Sequence, residues 1–193
     1  YRIGFQVAEG ERDILPRLRR LVSLLFGLEA TVVKRRRPNR KVWLYEVTLI
    51  SEDIASNLSF LRIKRIPDLV LRSANKVVSS YLRWLFEADG SVFDKGRGSR
   101  AITLKAKDVE LLRDTQILLL RFGIHSRIIE NALLIRRGED IIKFARSIGF
   151  VSKKKSTRLT KLVASAKDFQ RVHPQRSERV VRILKHPPQN VYD

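Results

Sequence analysis

Residues 81–92 read Tyr81-Leu82-Arg83-Trp84-Leu85-Phe86-Glu87-Ala88-Asp89-Gly90-Ser91-Val92. Apolar side chains recur every three or four residues from Val77 to Phe86, which predicts a buried helix that stops at Gly90 and leads directly into a strand. Asp89 then falls in the last turn, next to the negative end of the helix dipole, where a carboxylate is disfavoured. We infer that a requirement other than helix stability keeps Asp89 at this position.

Composition identifies the class of partner. The 193 residues contain 40 Lys and Arg against 20 Asp and Glu, which gives a formal net charge of +20 and a pI near 11.0. Such an excess is typical of a surface that faces phosphates, so we expect a nucleic acid partner. The sequence has no apolar run of about 18 residues and no signal-like segment, which predicts no membrane partner and a cytoplasmic location.

Cysteine is absent, which excludes disulfide frameworks, thiolate metal sites and cysteine nucleophiles. The three histidines, His125, His173 and His186, show no metal-ligand spacing, and we expect each to be an ordinary surface or loop residue.

The rest of the chain predicts two similar halves. In the first we expect a strand at 3–8, a helix at 13–26, strands at 30–33 and 42–49, and a helix at 52–60, followed by a basic connector at 61–70. In the second we expect strands at 91–94 and 100–106, a helix at 108–122, strands at 126–130 and 132–137, and helices at 139–148 and 158–165. Periodicity alone therefore predicts an α+β fold with antiparallel hairpins.

Short matches support an internal duplication. Phe26-Gly27-Leu28 is repeated as Phe122-Gly123-Ile124, and Glu52-Asp53-Ile54 as Glu139-Asp140-Ile141. The helix that ends at Asp89 precedes the second half. By the repeat, we expect an equivalent helix with a second acid to precede the first half, upstream of Tyr1.

The segment from Leu82 to Gly90 resembles the nine-residue motif of the LAGLIDADG (dodecapeptide, DOD-type) homing endonucleases, in the form found in archaeal-type inteins. In that family two such helices pack side by side, and the last acid of each binds the divalent metals at the scissile phosphates. The resemblance implies that Asp89 is a catalytic metal ligand, that Gly90 contributes its carbonyl, and that the cofactor is Mg²⁺. Trp84 departs from the small residue that the family commonly has there to let the two helices approach closely.

A second segment resembles a part of the same family. Ile63-Lys64-Arg65-Ile66-Pro67 is similar to its Lys-x-Ile-Pro block, which implies that Lys64 assists catalysis near the metals; an ordinary basic loop is the alternative. By the internal repeat, the matching position in the second half falls within 149–155, and we predict Lys154 as the equivalent catalytic lysine.

The resemblance also implies two pseudo-symmetric halves whose antiparallel sheets form a saddle over double-stranded DNA. We expect phosphate contacts from the tip of the first hairpin: Lys34, Arg35, Arg36, Arg37, Arg40 and Lys41. We expect base contacts from strand residues, namely Tyr45, Arg100, Thr103, Lys105, Arg127 and Arg136.

We therefore divide the chain into a first endonuclease half at 1–75 without its motif helix, a second half at 76–166, and a linker at 167–193. The linker ends in Asn190-Val191-Tyr192-Asp193, which is similar to the start of the C-terminal splicing segment of inteins. The predicted function is a site-specific, Mg²⁺-dependent double-strand DNA endonuclease that is part of an intein, in a monomeric parent protein. Two alternatives stay open, a non-cleaving DNA-binding protein on the same scaffold and an RNA-splicing maturase.

Overall fold

A computed structural model describes residues 2–36, 43–62, 65–94 and 100–167. The first half contains β1 (Arg2–Ala8), a 3₁₀ turn (Glu9–Ile14), α1 (Leu15–Phe26), β2 (Thr31–Arg36), β3 (Trp43–Ile50) and α2 (Glu52–Asn57). A second 3₁₀ turn (Ser59–Arg62) and the short helix α3 (Asp68–Leu71) lead to the second half. That half contains α4 (Asn75–Asp89), β4 (Gly90–Asp94), β5 (Arg100–Lys105), α5 (Val109–Leu120), β6 (Arg127–Ile129), β7 (Ala132–Ile135), α6 (Gly138–Ser147) and α7 (Lys153–Lys167).

Each half forms one antiparallel sheet. The first sheet has the strand order β1-β3-β2, and the second has the order β4-β5-β7-β6. The order β5-β7-β6 repeats the first sheet strand for strand, while β4 is an additional edge strand that continues directly from α4. The predicted α+β class with antiparallel sheets is confirmed.

A glycine with the same backbone conformation follows the equivalent helix in each half. Gly27 follows α1 and Gly123 lies just beyond α5, and both have a φ of +64°, in the left-handed region that glycine adopts without strain. The matching Phe-Gly pairs therefore mark equivalent turns.

The buried side chains form two hydrophobic clusters. One lies between the first sheet and α1 and includes Val7, Val22 and Val47. The larger one fills the second half around Leu82 and Phe86 of α4, both fully buried. Because this second cluster receives the inner face of α4, it fixes where that helix ends.

Two predicted elements differ from the structure. The last helix was expected to begin at Arg158, but α7 begins at Lys153 because the Ser152 hydroxyl accepts the amide of Lys155 at 3.4 Å, which is a helix N-cap contact. The basic connector was predicted at 61–70 with no helix assigned to it, yet α3 begins within it at Asp68. No helix within the described ranges is long and apolar enough to cross a membrane.

Candidate metal site and nucleic-acid surface

Asp89 is the last residue of α4 and is exposed. The helix is anchored behind it by Phe86, whose ring meets that of Phe144 edge to face with centroids 4.8 Å apart. The amide of Gly90 closes the helix by donating to the carbonyl of Phe86, and β4 begins at the same residue. The carboxylate therefore projects from a helix-strand junction that is anchored in the core by the buried residues Phe86, Glu87 and Gly90.

Gly90 is required at this junction for steric reasons. Its φ of −91° is available to any residue, but a Cβ atom here would lie 2.5 Å from the carbonyl oxygen of Phe86 and 3.0 Å from its Cα. Both contacts are with backbone of the helix that carries Asp89, so a larger residue must displace that helix end. Ligation of a metal by the Gly90 carbonyl stays a prediction.

The junction fits one part of a divalent metal site. Among the described residues Asp89 has no hydrogen-bond or ion-pair partner, so both carboxylate oxygens are available as the hard ligands that Mg²⁺ prefers. Across the described ranges, however, no three His, Cys, Asp or Glu side chains are grouped closely enough to hold a metal. The residues fit a metal shared with ligands from elsewhere, such as a second carboxylate and DNA phosphates.

Glu87, two residues before Asp89, has a structural position. It is 4% exposed, and its Oε2 accepts hydrogen bonds from the amides of Val151 at 2.7 Å and Ser152 at 3.0 Å. This carboxylate thereby satisfies amide groups at the start of α7, where a negative charge is favourable. Glu87 joins the end of α4 to the beginning of α7.

Of the two predicted catalytic lysines, the structure describes only Lys154. Lys64 lies outside the described residues. Lys154 is exposed and faces the first half, where its Nζ lies 3.6 Å from Glu11 Oε1. Lys155 is the lysine of this run that reaches the end of α4: it is 8% exposed, its Nζ donates to the carbonyl of Glu87, and it lies 3.8 Å from Glu87 Oε1. Sequence reasoning missed Lys155 because register within a lysine run cannot be read until the start of α7 is known.

The residues directly after Lys64 are anchored to the second half. Arg65 donates from Nε to Asp114 Oδ2 at 2.8 Å and from Nη2 to Oδ1 at 3.0 Å, and the amide of Ile66 lies 3.4 Å from Oδ2. The bidentate arginine holds the pKa of the Asp114 carboxyl below its usual range. The residues that follow Lys64 in the block that resembles Lys-x-Ile-Pro are therefore held against α5 by Asp114.

The face of the first sheet that points away from α1 carries paired charges. Directly paired strand residues share a face, so Arg2, Gln6, Arg35, Glu46 and Thr48 lie together there. Arg2 Nη2 lies 2.5 Å from Glu46 Oε1, and Arg35 Nε lies 2.9 Å from Oε2. This open face thus presents two arginines held by one carboxylate.

Other predicted contacts of the first hairpin lie elsewhere. Lys34, Arg36 and Tyr45 point to the face that also carries Val47 of the core, and Lys34 Nζ lies 5.8 Å from the ring centroid of Tyr45. Lys34 also pairs with Glu9 at 2.6 Å, which raises the pKa of its ammonium group. Arg37, Arg40 and Lys41 lie outside the described residues. Within this strand pair, only Arg35 of the predicted residues shares the open face with Glu46.

The second sheet brings three predicted DNA contacts together. By the strand register, Thr103, Lys105 and Arg127 share the face opposite the buried Ile102 and Leu104. Arg136 is exposed and comes directly after β7.

Arg100, predicted to face bases, lies on the core side of the second sheet. It bonds Asp94 at 3.2 Å and the carbonyl of Ser165 in α7 at 3.2 Å. Its described contacts are structural.

A shallow apolar groove of about 410 Å³ runs along the exposed side of α4. Its lining is almost entirely hydrocarbon and comes from Val70, Val77, Ser80, Tyr81, Trp84 and Leu85. Trp84 also packs against the cluster of the first half, with the guanidinium of Arg17 5.8 Å from its ring centroid. The tryptophan that departs from the motif thus lies in the groove and against the first half at the same time.

Among known protein families, one family model matches the part of the chain that begins with α4. Residues 76–149 match the family model described as "LAGLIDADG-like domain". This range extends from α4 through the whole second sheet to the end of α6.

Relatives are found within much longer proteins. The chain is 35% identical over 106 residues to a probable translation initiation factor IF-2 of Thermococcus kodakarensis, covering 53% of this chain and 9% of the relative. It is 26% identical over 179 residues to a glutamine–fructose-6-phosphate aminotransferase of Methanocaldococcus jannaschii, covering 84% of this chain and 16% of the relative. It is 35% identical over 86 residues to the replication factor C small subunit of Pyrococcus horikoshii, covering 45% of this chain and 10% of the relative. The chain therefore spans only a small part of the curated relatives it matches.

Solved structures show the same fold. The homing endonuclease I-DmoI in complex with DNA and Ca has a TM-score of 0.59 at 16% identity, covering 83% of each chain. The homing endonuclease I-WcaI bound to its DNA recognition sequence has a TM-score of 0.57 at 16% identity, covering 82% of this chain and 74% of that one. Residues 76–149 thus match the model of a LAGLIDADG-like domain, and the chain has the fold of the LAGLIDADG homing endonucleases.

Proposed function

We propose that this chain is the endonuclease region of a homing endonuclease that cuts both strands of a specific DNA site with Mg²⁺, and that it is carried within an intein. The observation that carries the proposal is Asp89, which is exposed at the end of the α4 motif helix and has no hydrogen-bond or ion-pair partner in the part of the chain that the structure describes. It is supported by the fold that the chain shares with homing endonucleases solved on their target DNA.

A divalent metal would polarise the scissile phosphate and lower the pKa of the attacking water. The part played by this chain is to hold Asp89 at the DNA surface as one anionic ligand, with no ion pair to neutralise it among the described residues. A clamp on both strands needs at least one more carboxylate, because Asp89 supplies a single ligand group. We propose that this second acid comes from an equivalent motif helix associated with the first half.

The groove along α4 is the place where that helix would pack. It is apolar, as expected for a helix-helix contact, and its lining continues along the turns of α4 that lead to Asp89. A helix seated there would carry its own last residue toward Asp89. In this arrangement the parent protein is a monomer with halves at 1–75 and 76–166, and Trp84 sets the distance between the helices.

The open faces of the two sheets would contact DNA. Lys105 and Arg127 on the second sheet and Arg35 on the first supply the cations, while Thr103 and Gln6 lie among them as neutral hydrogen-bonding groups. Cations fix the register on phosphates, and neutral polar groups read base edges. The formal charge of +20 favours binding to duplex DNA even before the site is found.

The relatives support the proposal that this chain is carried within an intein. An initiation factor, an aminotransferase and a replication factor subunit have unrelated chemistry, yet each matches this chain over 9–16% of its length. A segment shared by otherwise unrelated proteins has the distribution of an insertion rather than of a working part. We therefore propose that residues 167–193 link the endonuclease region to a splicing segment.

A non-cleaving DNA-binding protein is the second candidate, favoured by Trp84, which occupies groove volume that a closely packed helix would need. A binding and cleavage assay separates the candidates. The protein, with any upstream motif helix in its gene, is incubated with the uninterrupted host gene in Mg²⁺ or in EDTA. Double-strand cuts only in Mg²⁺ support the endonuclease. Tight duplex binding without cuts supports the non-cleaving protein, and preference for structured intron RNA over duplex DNA supports a maturase.

A further inference from the structure

The last carbonyl groups of α4 lack partners within the helix. Gly90 N satisfies the carbonyl of Phe86, and the next carbonyl, that of Glu87, is satisfied from outside by Lys155 Nζ. A lysine ammonium at a helix C-terminus both bonds an orphan carbonyl and opposes the negative end of the dipole. Lys155 therefore caps α4 two residues before Asp89.

Lys155 is held in this position by its surroundings. Its side chain is 11% exposed, its ammonium lies 3.8 Å from Glu87 Oε1, and the Phe150 ring centroid is 5.9 Å from Nζ. A buried ammonium is tolerated only with such partners. Because the other oxygen of Glu87 binds the amides of Val151 and Ser152, the pair joins the last turn of α4 to the first turn of α7.

Lys154 is the adjacent residue in the sequence, but its side chain makes different contacts. It is exposed and pairs with Glu11 on the 3₁₀ turn of the first half. The two adjacent lysines of α7 thus point to different parts of the molecule, one to the helix that ends in Asp89 and the other to the first half.

We propose that Lys155 is the positioning residue of the Asp89 site: by capping α4 through the Glu87 carbonyl and pairing with the Glu87 carboxylate, it fixes the position from which Asp89 meets metal and DNA. This rests on the proposed function, since a fixed Asp89 matters for turnover only if the protein cuts. A displacement of about 1 Å in a reacting group can cost about 100-fold in rate. Lys155 acts through α4 and does not touch the reacting atoms.

The decisive variant removes both charges of the pair. Lys155→Met alone would leave the buried Glu87 carboxylate without its cation and would destabilise the protein for that reason alone. In Glu87→Gln/Lys155→Met, the amide oxygen of Gln still accepts from Val151 and Ser152, so the link to α7 is kept while the cap on α4 is lost. The matched control is Lys161→Met, an exposed lysine of the same helix.

Amide exchange in the metal-free protein tests the cap without any cleavage. We expect the double variant to melt close to the wild type and its amides at 88–90 to exchange at least about 10-fold faster, whereas Lys161→Met exchanges like the wild type. In the DNA assay, kcat should fall about 10–100-fold with the dissociation constant for target DNA unchanged. This split distinguishes positioning from general loss of structure.

Two results would overturn the proposal. One is exchange and turnover in the double variant equal to those of Lys161→Met. The other is a loss of turnover in Lys154→Met that the double variant does not show. A wild-type protein that binds DNA without cutting would refute the proposed function instead, and the exchange comparison would still decide whether Lys155 caps α4.

Discussion

Replacing Gly90 by alanine tests whether the helix-strand junction sets the position of Asp89. The new Cβ would lie 2.5 Å from the carbonyl oxygen of Phe86, whereas a carbon-oxygen contact needs about 3.3 Å. The backbone must therefore yield by about 0.8 Å, and it can do so only by moving the end of α4 away from β4. Asp89 lies between the two groups that must separate.

Both stability and turnover should respond. Overpacking of this kind costs about 1–3 kcal/mol, and in a chain of this size about 1 kcal/mol lowers the melting temperature by about 2–4 °C. We expect Gly90→Ala to melt about 2–12 °C below the wild type. A shift of this size in a metal ligand should lower the cleavage rate about 10–100-fold.

Gly4→Ala is the matched control for stability. A Cβ at Gly4 would lie 4.0 Å from the carbonyl of Val47, an ordinary contact, so alanine should leave the melting temperature unchanged or raise it slightly. Thermal unfolding of both variants and the initial rate of plasmid cleavage are the measurements. If Gly90→Ala melts and cuts like the wild type, the junction does not hold Asp89 as argued.

Three more predictions follow from the charges and the packing. Asp114→Asn should lower the melting temperature at pH 7, and because the folded pKa of Asp114 is depressed, the difference from wild type should shrink as the pH falls through that pKa in an acid series of melts. Trp84→Ala should lower the unfolding free energy by about 1–3 kcal/mol in urea melts, since half-buried Trp84 packs against the first cluster. An unchanged urea midpoint would show that this contact does not stabilise the fold. Arg127→Ala should weaken duplex binding and reduce the slope of log affinity against log salt by about 1, while the same change at Arg100 should leave that slope intact and lower the melting temperature.

The helix around Asp89 could be read from sequence because two signals coincide there. The apolar spacing fixes the buried face of α4, and Gly90 fixes its end, so the exposure of Asp89 follows from local pattern alone. The repeated Phe-Gly pairs likewise predicted equivalent turns, since only glycine enters the left-handed region without strain.

Contacts across the fold could not be read in the same way. Arg35 at the hairpin tip and Tyr45 in the strand were both predicted to contact DNA, but strand parity places them on opposite faces, and parity is known only when β3 is paired. Arg100 looked like a base-reading residue, yet it bonds Ser165 at the far end of α7. Long-range partners of this kind leave no local signal.

Lys155 shows the same limit at the site itself. Three consecutive lysines have equal local character, and only the cap at Ser152 determines which one turns inward toward α4. The buried Glu87 resembles a second acid of the site in sequence, but its Oε2 accepts the amides of Val151 and Ser152 just before α7, and its Oε1 lies 3.8 Å from the ammonium of Lys155. Burial and partner geometry, not residue type, separate the two acids of the motif.

The most direct test of the role of Asp89 is metal-dependent cleavage by Asp89→Asn beside Asp53→Asn, which removes another exposed carboxylate, far from the motif in sequence. The protein, with its upstream motif helix where the gene encodes one, is incubated with the uninterrupted host gene and Mg²⁺. We predict double-strand cuts by the wild type and Asp53→Asn, and none by Asp89→Asn, which should still bind the DNA. Undiminished cutting by Asp89→Asn would contradict the central claim that this carboxylate holds the metal.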